Sequence, residues 1–496
     1  LDVSSLTGEP LPMGVEPGGE LAAGSLNLQA PLVLEVLRPG SESAVARIIA
    51  LVEQAQARKA PIQGLTDRVA GRFSLAVILL ALATWLFWWL WGAHLWPQVL
   101  AAAPSVHQHG GHRSLGVGAE TPFVLGLQLS IAVLVVACPC ALGLATPAAI
   151  SVGTGRAARA GLLFRGGDVI EAAAALRTVC FDKTGTLTLG RPSLSACLAE
   201  LSHATEEQLV QLAASLEADT RHPLAHALLQ RAQDSQLPLL PVAHPQTLPG
   251  DGLLGRIEGW GLCRVGRPDW IEALATPLSA DQRAWLTAQE ARGATVVAVS
   301  AEQRLLGLLA IEDQLRPDAA TTLDALQAMG LKLLLLSGDR AAPVQHLGST
   351  LGLRPEQLAW GLLPDQKLQR LELARSSGPV AMVGDGINDA PSLAAADLGI
   401  AVGTGTQIAM DTADLVLLGD RLTAIPEALR LAQRTMAKVR QNLLWAFGYN
   451  LLVLPVAAGV LLPGFGVVLS PPLAALLMAF SSITVVVNAL LLGRDG

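Results

Sequence analysis

Four apolar runs in this chain end in aspartate. Thr178 to Phe181 leads into Asp182, Leu331 to Leu336 into Ser337-Gly338-Asp339, and Val380 to Val383 into Gly384-Asp385-Gly386-Ile387-Asn388-Asp389. Leu305 to Ile311 leads into Glu312-Asp313. A parallel sheet gathers the carboxyl ends of its strands on one edge, and ligands of open α/β sheets bind there. If these runs are such strands, the edge becomes a cluster of carboxylates. That suits Mg²⁺, which binds through one or two carboxylates together with phosphate oxygens. An aspartate can also act as a covalent nucleophile and carry a phosphoryl group, and Lys183 beside Asp182 can offset the phosphate's charge. One Asp-Lys pair alone would be an ordinary solvated turn. The ten-residue string Val179-Cys180-Phe181-Asp182-Lys183-Thr184-Gly185-Thr186-Leu187-Thr188 is far more specific.

A second constellation is soft rather than hard. Ala137-Cys138-Pro139-Cys140-Ala141-Leu142-Gly143 lies inside a long apolar run. Proline within a helix removes a backbone hydrogen bond, and irregular backbone at membrane depth is tolerated only where protein buries it or it lines a cavity. Two thiols beside such a break favour Cu(I) or Zn(II) over Na⁺, K⁺ or Ca²⁺. Two cysteines merely packed in a core are the alternative, made weak by the proline between them. The loop His107-Gln108-His109-Gly110-Gly111-His112 brings three imidazoles together. It could hold a soft or borderline metal, but a flexible Gly-rich loop that happens to carry histidine accounts for it better.

These residues need two kinds of scaffold. Half of the 496 residues are hydrophobic and only 15% are charged, which fits a chain part membrane and part soluble. The net charge of -7 gives no reason to expect nucleic acid as a partner. Four stretches approach the roughly 20 apolar residues that span a bilayer: 73–96, 123–147, 443–462 and 472–492. Arg47, Arg58, Lys59, Arg68 and Arg72 precede the first and Arg156, Arg159 and Arg165 follow the second, whereas the intervening loop has only Arg113. The positive-inside rule therefore places that loop outside and the long segment 148–442 in the cytosol. Trp85, Trp88, Trp89, Trp91 and Trp96 suit a membrane interface. Within 148–442, strands alternate with helices, and an insert from Leu189 to about Leu305 interrupts the pattern. Thr205-Glu206-Glu207 predicts a helix start there, running to about Ala218. Ser41 to Lys59 carries apolar residues at helical spacing and predicts a helix leading toward the membrane. The five cysteines include no CxxC pair and do not read as a disulfide framework. The chain begins at Leu1, without Met or signal peptide, and reads as lacking its true N-terminus.

The string around Asp182 resembles the phosphorylation motif of the P-type ATPases, ion pumps that pass through an aspartyl-phosphate. The resemblance covers essentially the whole chain and implies a multidomain membrane protein. Its parts would be an α-helical transmembrane bundle, an α/β haloacid-dehalogenase-like phosphorylation domain, an inserted α+β nucleotide-binding domain and part of a β-rich actuator domain. On that reading 1–68 is the end of the actuator domain and a linker helix, and 69–150 holds two transmembrane helices with the CPC motif. The phosphorylation domain is 151–189 and 305–442, the nucleotide-binding domain is 190–304, and 443–496 holds two further transmembrane helices. Asp182 would be the phosphorylated residue. Thr184 would contact the phosphate and help bind Mg²⁺, and Asp385 would be a Mg²⁺ ligand with Asn388 and Asp389 in support. Ser337-Gly338-Asp339 stands where the family has TGD, and Lys367 would neutralise the phosphoryl group. Glu9, in Thr7-Gly8-Glu9, would position the water that hydrolyses the phosphoenzyme. Glu217 and His222 would contact adenine, with Gly250, Gly252 and Gly266 letting backbone approach the nucleotide. Arg267 stands where the family often has Asn, so its role is open.

The last two spans read Asn442, Tyr449-Asn450, Pro455, and then Pro471, Met478, Ser481-Ser482, Asn488. These spacings match the monovalent-copper branch of the family, with Cys138, Cys140, Tyr449, Asn450, Met478 and Ser482 as the implied copper ligands. Zinc-type pumps usually carry an intramembrane Lys and Asp. No charged side chain lies inside either stretch here, and unpaired intramembrane charge is costly. The expected activity is ATP-driven export of Cu⁺ from the cytosol with ATP and Mg²⁺, in a lipid bilayer, with a cytosolic copper donor as partner. A zinc/cadmium pump of the same fold is the first alternative, and a non-transporting haloacid-dehalogenase-type phosphatase or regulator the second. Residues 1–496 alone, without the family's first membrane helices, are expected not to transport.

Overall fold

The computed structural model describes residues 18–19, 21, 27, 32–36, 60–102, 121–138, 140–200, 202–220, 223–248, 251–275, 277–385, 389–403 and 412–493. The predicted helix over 41–59, the loop with Glu9, the histidines of the external loop, His222, Gly250 and Asn388 lie outside the described residues. Two compact units divide the chain: one comprises 1–175 and 427–496, the other 176–426.

Apolar helices dominate the first unit. Three helical segments among the described residues are long and apolar enough to cross a membrane: Pro61–Leu95, Pro122–Arg159 and Pro472–Leu491. The first starts twelve residues before the predicted 73, because Pro61 sits in its first turn, where a missing N–H costs nothing. Glu171 accepts the backbone N–H of Ile62 at 2.9 Å and so satisfies another orphan donor of that turn. The second segment is two helices, Pro122–Val136 and Cys140–Arg159, so the break falls at the Cys-Pro-Cys sequence. The third predicted span, 443–462, is instead the far end of a 34-residue helix, Ala424–Ala457. Its first half is charged and its second half carries Asn442, Tyr449 and Asn450, which dilute its apolar character. Two residues past Pro455 it stops, and the next turn passes through Gly459 at φ +84°. Trp88, buried, donates its indole N–H to the Ala458 carbonyl at 2.9 Å. That carbonyl lies just past the helix end, where acceptors lose their intrahelical partners. The short buried strand β1 (Leu162–Phe164) follows the helix Cys140–Arg159.

The second unit holds two sheets. One is parallel, in the order β13-β12-β11-β2-β9-β10, where β2 is Thr178–Asp182, β9 Lys332–Leu336, β10 Leu358–Ala359, β11 Val380–Gly384, β12 Leu398–Val402 and β13 Leu415–Leu417. β2, β11, β12 and β13 are buried along their whole length, as expected where helices cover both faces. The other sheet is antiparallel, in the order β3-β8-β7-β6-β5-β4. Its strands are β3 (Thr188–Ala199), β4 (Val242–Leu248), β5 (Gly252–Ile257), β6 (Gly261–Gly266), β7 (Thr295–Ala301) and β8 (Arg304–Leu315). The run Leu305 to Ile311 therefore does not join the parallel sheet. It pairs antiparallel with β3, Leu194 facing Ile311 and Cys197 facing Leu309, because β3 leaves the loop after Asp182 directly and needs a partner. Two helices, Glu206–Leu216 and Pro223–Asp234, complete the core over this sheet, with Leu209, Leu212 and Leu228 fully buried. The predicted start at Thr205 is a capping box. Thr205 Oγ1 accepts the Gln208 N–H at 3.2 Å, and Gln208 Oε1 accepts that of Thr205 at 2.9 Å.

Candidate functional site

Parallel register assembles the first site. Phe181 lies beside Val383 on one side of β2 and beside Leu335 on the other, and Asp182 pairs with Leu336. Asp182, Ser337-Gly338-Asp339 and Asp385 thus emerge at one sheet edge. Asp182 is 8% exposed and takes the Lys367 ammonium at 2.6 Å, while the same ammonium donates to Asp389 Oδ1 at 2.9 Å. Burial pushes the Asp182 carboxyl up to about 6, Asp389 adds repulsion, and Lys367 pulls the other way. Burial would lower the Lys367 ammonium, but the two carboxylates outweigh it and the net shift is upward. Lys367 therefore stays charged through the physiological range.

Lys183 meets Asp182 through its backbone N–H and not through its ammonium. Its ammonium forms an ion pair with Asp339, since consecutive residues leaving a strand point to opposite sides. Ser337, almost fully buried, accepts the Asp339 N–H on Oγ at 3.1 Å. The loop after Asp182 turns at Gly185, whose φ is +73° and where a Cβ would come within 2.8 Å of Asp385 Oδ2. Only glycine lets this loop and that carboxylate sit so close. Thr184 is exposed beside Asp182. Asp182 and Asp385 offer hard oxygen donors on one edge, a set that fits Mg²⁺ completed by phosphate oxygens and water. Among the described residues no group of three or more His, Cys, Asp or Glu could hold a metal unaided.

Three residues of this site escaped the sequence reading or were underweighted by it. Asp389, 1% exposed, takes the second Lys367 bond, whereas the resemblance gave it only a supporting place beside Asp385. Arg316, 5% exposed, ion-pairs with Asp420, donates to the Gly185 carbonyl at 3.3 Å, and its N–H donates to the Leu187 carbonyl at 2.9 Å. It ties down the loop after Asp182 at Gly185 and Leu187. Asp313, expected on the parallel edge, reaches the loop from β8: its Oδ2 is 2.5 Å from Thr188 Oγ1 and its Oδ1 accepts the Arg191 N–H at 3.0 Å.

In the inserted sheet, Glu217 ends the helix Glu206–Leu216 and is buried. Gly252 and Gly266 face each other across β5 and β6. A Cβ on either would come within 2.9 Å of the Trp270 ring and would also strike the opposite strand's backbone. Packing alone thus requires glycine at both. Arg267 donates its N–H to the Asp251 carbonyl at 2.8 Å, and its exposed guanidinium faces Asp269.

The second site lies in the first unit. Cys138 and Cys140 are joined as a disulfide, where two free thiols were expected. Their spacing brings both sulfurs to one point, the same convergence that two thiolates need to share an ion once reduced. Ala141, Leu142 and Ala145 pack with Ala446 and Val485, so the helices carrying Cys140, Tyr449-Asn450 and Ser481-Ser482 meet there. Asn450 and Ser481 are buried, and Met478, Tyr449 and Ser482 are half-buried. Phe480, Ile483 and Leu490 on the other face of the last helix are exposed. Among the described residues the Tyr449 hydroxyl is buried without a hydrogen-bond partner, a costly state that a bound group would relieve.

A parallel sheet with an aspartate at the end of a central strand, interrupted by an inserted sheet, is the haloacid-dehalogenase-type fold. The profile of haloacid dehalogenase-like hydrolases matches residues 176–397, and that of the P-type ATPase actuator domain matches 1–53. The crystal structure of a zinc-transporting PIB-type ATPase in the E2.Pi state superposes with a TM-score of 0.72 at 34% identity, over 99% of this chain and 74% of that one. The chain belongs to the P-type ATPases. It is 41% identical to the copper-transporting ATPase PAA1, chloroplastic, of Arabidopsis thaliana, over 99% of this chain and 51% of the relative. It is also 41% identical to the probable copper-transporting ATPase PacS of Synechococcus elongatus, over 99% of this chain and 61% of the relative. The chain thus spans about half to three fifths of the length of these curated relatives.

Proposed function

We propose that the protein is a copper-transporting P-type ATPase that hydrolyses ATP through an aspartyl-phosphate at Asp182 and moves Cu⁺ out of the cytosol. The observation that carries the catalytic half is the buried Asp182 carboxylate with Lys367 at 2.6 Å at the carboxyl end of β2. In this reading Asp182 Oδ attacks the γ-phosphorus of ATP, the bond to the β-phosphate oxygen breaks, and ADP leaves. Lys367 balances the charge that gathers on the transferring oxygens. Ser337 and Gly338 bind phosphate, and the Lys183–Asp339 pair orders the adjoining loop. Mg²⁺, held by Asp182, Asp385 and the Thr184 backbone, would supply further charge neutralisation. Glu217, His222, Gly250, Gly252 and Gly266 form the adenine side. Glu9 orients the water that cleaves the acyl phosphate. The unit 176–426 thus carries phosphorylation and nucleotide binding, and the apolar helices carry the ion.

Cu⁺ is favoured by the donor set Cys138, Cys140, Tyr449, Asn450, Met478 and Ser482: two thiols, a thioether and neutral oxygens, the chemistry of a soft monovalent ion. The names of the curated relatives agree. A zinc or cadmium pump is the second reading, favoured by the likeness to a zinc-transporting pump, since the fold is common to both. A cytosolic copper donor completes the proposal. The test is phosphoenzyme formation from labelled ATP by the full-length protein with Cu(I) or Zn(II) as the sole metal, with Asp182→Asn as control. Copper-dependent label lost in the variant is expected. Label with Zn(II) only would overturn the choice of ion, and no label with either would overturn the pump.

A further inference from the structure

A polar chain crosses the first unit where apolar packing would otherwise be expected. The Lys438 ammonium donates to Asn488 Oδ1 at 3.0 Å, Asn488 Nδ2 donates to Asn442 Oδ1 at 2.7 Å, and Asn442 Nδ2 donates to the Ala145 carbonyl at 3.4 Å. Asn442 is 1% exposed. The direction of this chain has a chemical cause. Lysine can only donate, whereas an asparagine amide can donate or accept. With Lys438 in place, Asn488 must present its oxygen to the ammonium and its NH₂ to Asn442. Asn442 must then present its own NH₂ to Ala145. One cation thus sets the orientation of both amides.

The three helices joined in this way are those that hold the proposed copper ligands. Ala145 is five residues past Cys140, Asn442 is seven and eight before Tyr449 and Asn450, and Asn488 is six past Ser482. At 1.5 Å per residue these offsets are all about 7–12 Å, one to two turns along each axis. Two more ties lie on the same side of the ligand layer. Gly153 leaves room for Thr435, whose Oγ1 would be 2.5 Å from a Cβ at that position, and Arg156 donates to the Leu492 carbonyl at 2.6 Å. Small residues that let helix backbones approach are the usual device of membrane helix contacts. The tie to Ala145 also lies two residues before Pro147, inside the helix that begins at Cys140. Proline there removes a backbone donor, so that helix has less internal resistance to sliding or bending.

We infer that Lys438 is a positioning residue for the membrane metal site: through Asn488 and Asn442 it fixes the axial register of the CPC helix against the last two spans. The inference rests on the copper reading above and deepens it, since none of the three residues is a proposed ligand. Losing a hydrogen bond to a charged group, together with the orientation of two amides, predicts about a tenfold rise in the half-saturating metal concentration.

The experiment is a Cu(I) titration of phosphoenzyme formation in the full-length protein, with labelling by inorganic phosphate in the absence of metal as a second readout. Lys438→Met is expected to raise the half-saturating Cu(I) concentration about tenfold while maximal labelling and phosphate labelling persist. Lys438→Arg restores a donor-only cation and should stay within about twofold of the parent. Asn488→Ala should match Lys438→Met, and the double variant should be no worse than either single one. An unchanged half-saturation in Lys438→Met and Asn488→Ala, or additive losses in the double variant, would overturn the inference. So would loss of maximal or phosphate labelling without an affinity shift. If the parent labels with Zn(II) only, the copper reading fails, and the same titration with Zn(II) tests Lys438 independently.

Discussion

The protein handles charge in opposite ways at its two sites. At the edge of the parallel sheet, Asp182, Asp339, Asp385 and Asp389 crowd together with Lys183 and Lys367, and burial is offset by ion pairs. Within the membrane bundle, the proposed ligands are neutral apart from the two cysteines, which would bind as thiolates, and the Lys438 ammonium is held by Asn488, one to two turns past Ser482. A phosphoryl group brings several negative charges and needs fixed counter-charge. A monovalent soft ion in hydrocarbon needs donors without excess charge. The two solutions are suited to different guests, and each should fail in its own way.

The largest contrast comes from a pair of substitutions read by two labels. Asp182→Asn should abolish labelling from ATP and from inorganic phosphate alike. Cys140→Ser should abolish metal-dependent labelling from ATP yet keep metal-free labelling from phosphate. If Cys140→Ser also lost the phosphate label, the two sites would not be separable. A smaller effect is expected in pH. The Asp182 carboxyl, raised to about 6 chiefly by burial, must be ionised to attack, so phosphoenzyme formation should fall as pH drops through about 6. Removing the Lys367 ammonium withdraws the positive charge that most favours the ionised form. Residual activity of Lys367→Met should therefore have its midpoint about one pH unit higher. A midpoint that stays or falls would show that Lys367 does not govern Asp182. The smallest effect should be structural. Gly252→Ala places a methyl against Trp270 and the opposite strand, and overpacking of this kind costs about 1–3 kcal/mol. Thermal unfolding should show it, with catalysis per folded molecule affected less than by Lys367→Met.

Much of the site at the parallel-sheet edge was legible because its residues are contiguous. Asp182 to Thr188 and Asp385 to Asp389 are each a strand end plus a turn, and a strand end announces itself by an apolar run followed by Asp or Gly. What misled was β8. Its apolar run Leu305 to Ile311 looks like any other buried strand, and no local feature distinguishes a parallel neighbour of β2 from an antiparallel neighbour of β3. Arg316 was invisible for a related reason: its importance lies in Gly185, Leu187 and Asp420, each more than a hundred residues away. Lys183 and Lys367 both follow from composition as possible counter-charges. Only the fold shows that Lys367 takes Asp182 while Lys183 takes Asp339.

In the membrane unit the balance is reversed. Residue order alone shows long apolar stretches and a proline between two cysteines inside one of them, and the resemblance to the copper branch picks out Asn442, Tyr449, Asn450, Met478, Ser482 and Asn488. Apolar runs and motif matches are local, so they can be read without the fold. Residue order could not determine that Asn442 and Asn488 bond to each other rather than to an ion, or that Lys438 sets their direction. Nor could it place the end of the 424–457 helix under Trp88. Such facts depend on which helices are neighbours and at what axial register, and register is decided by packing and hydrogen bonds summed over the whole unit.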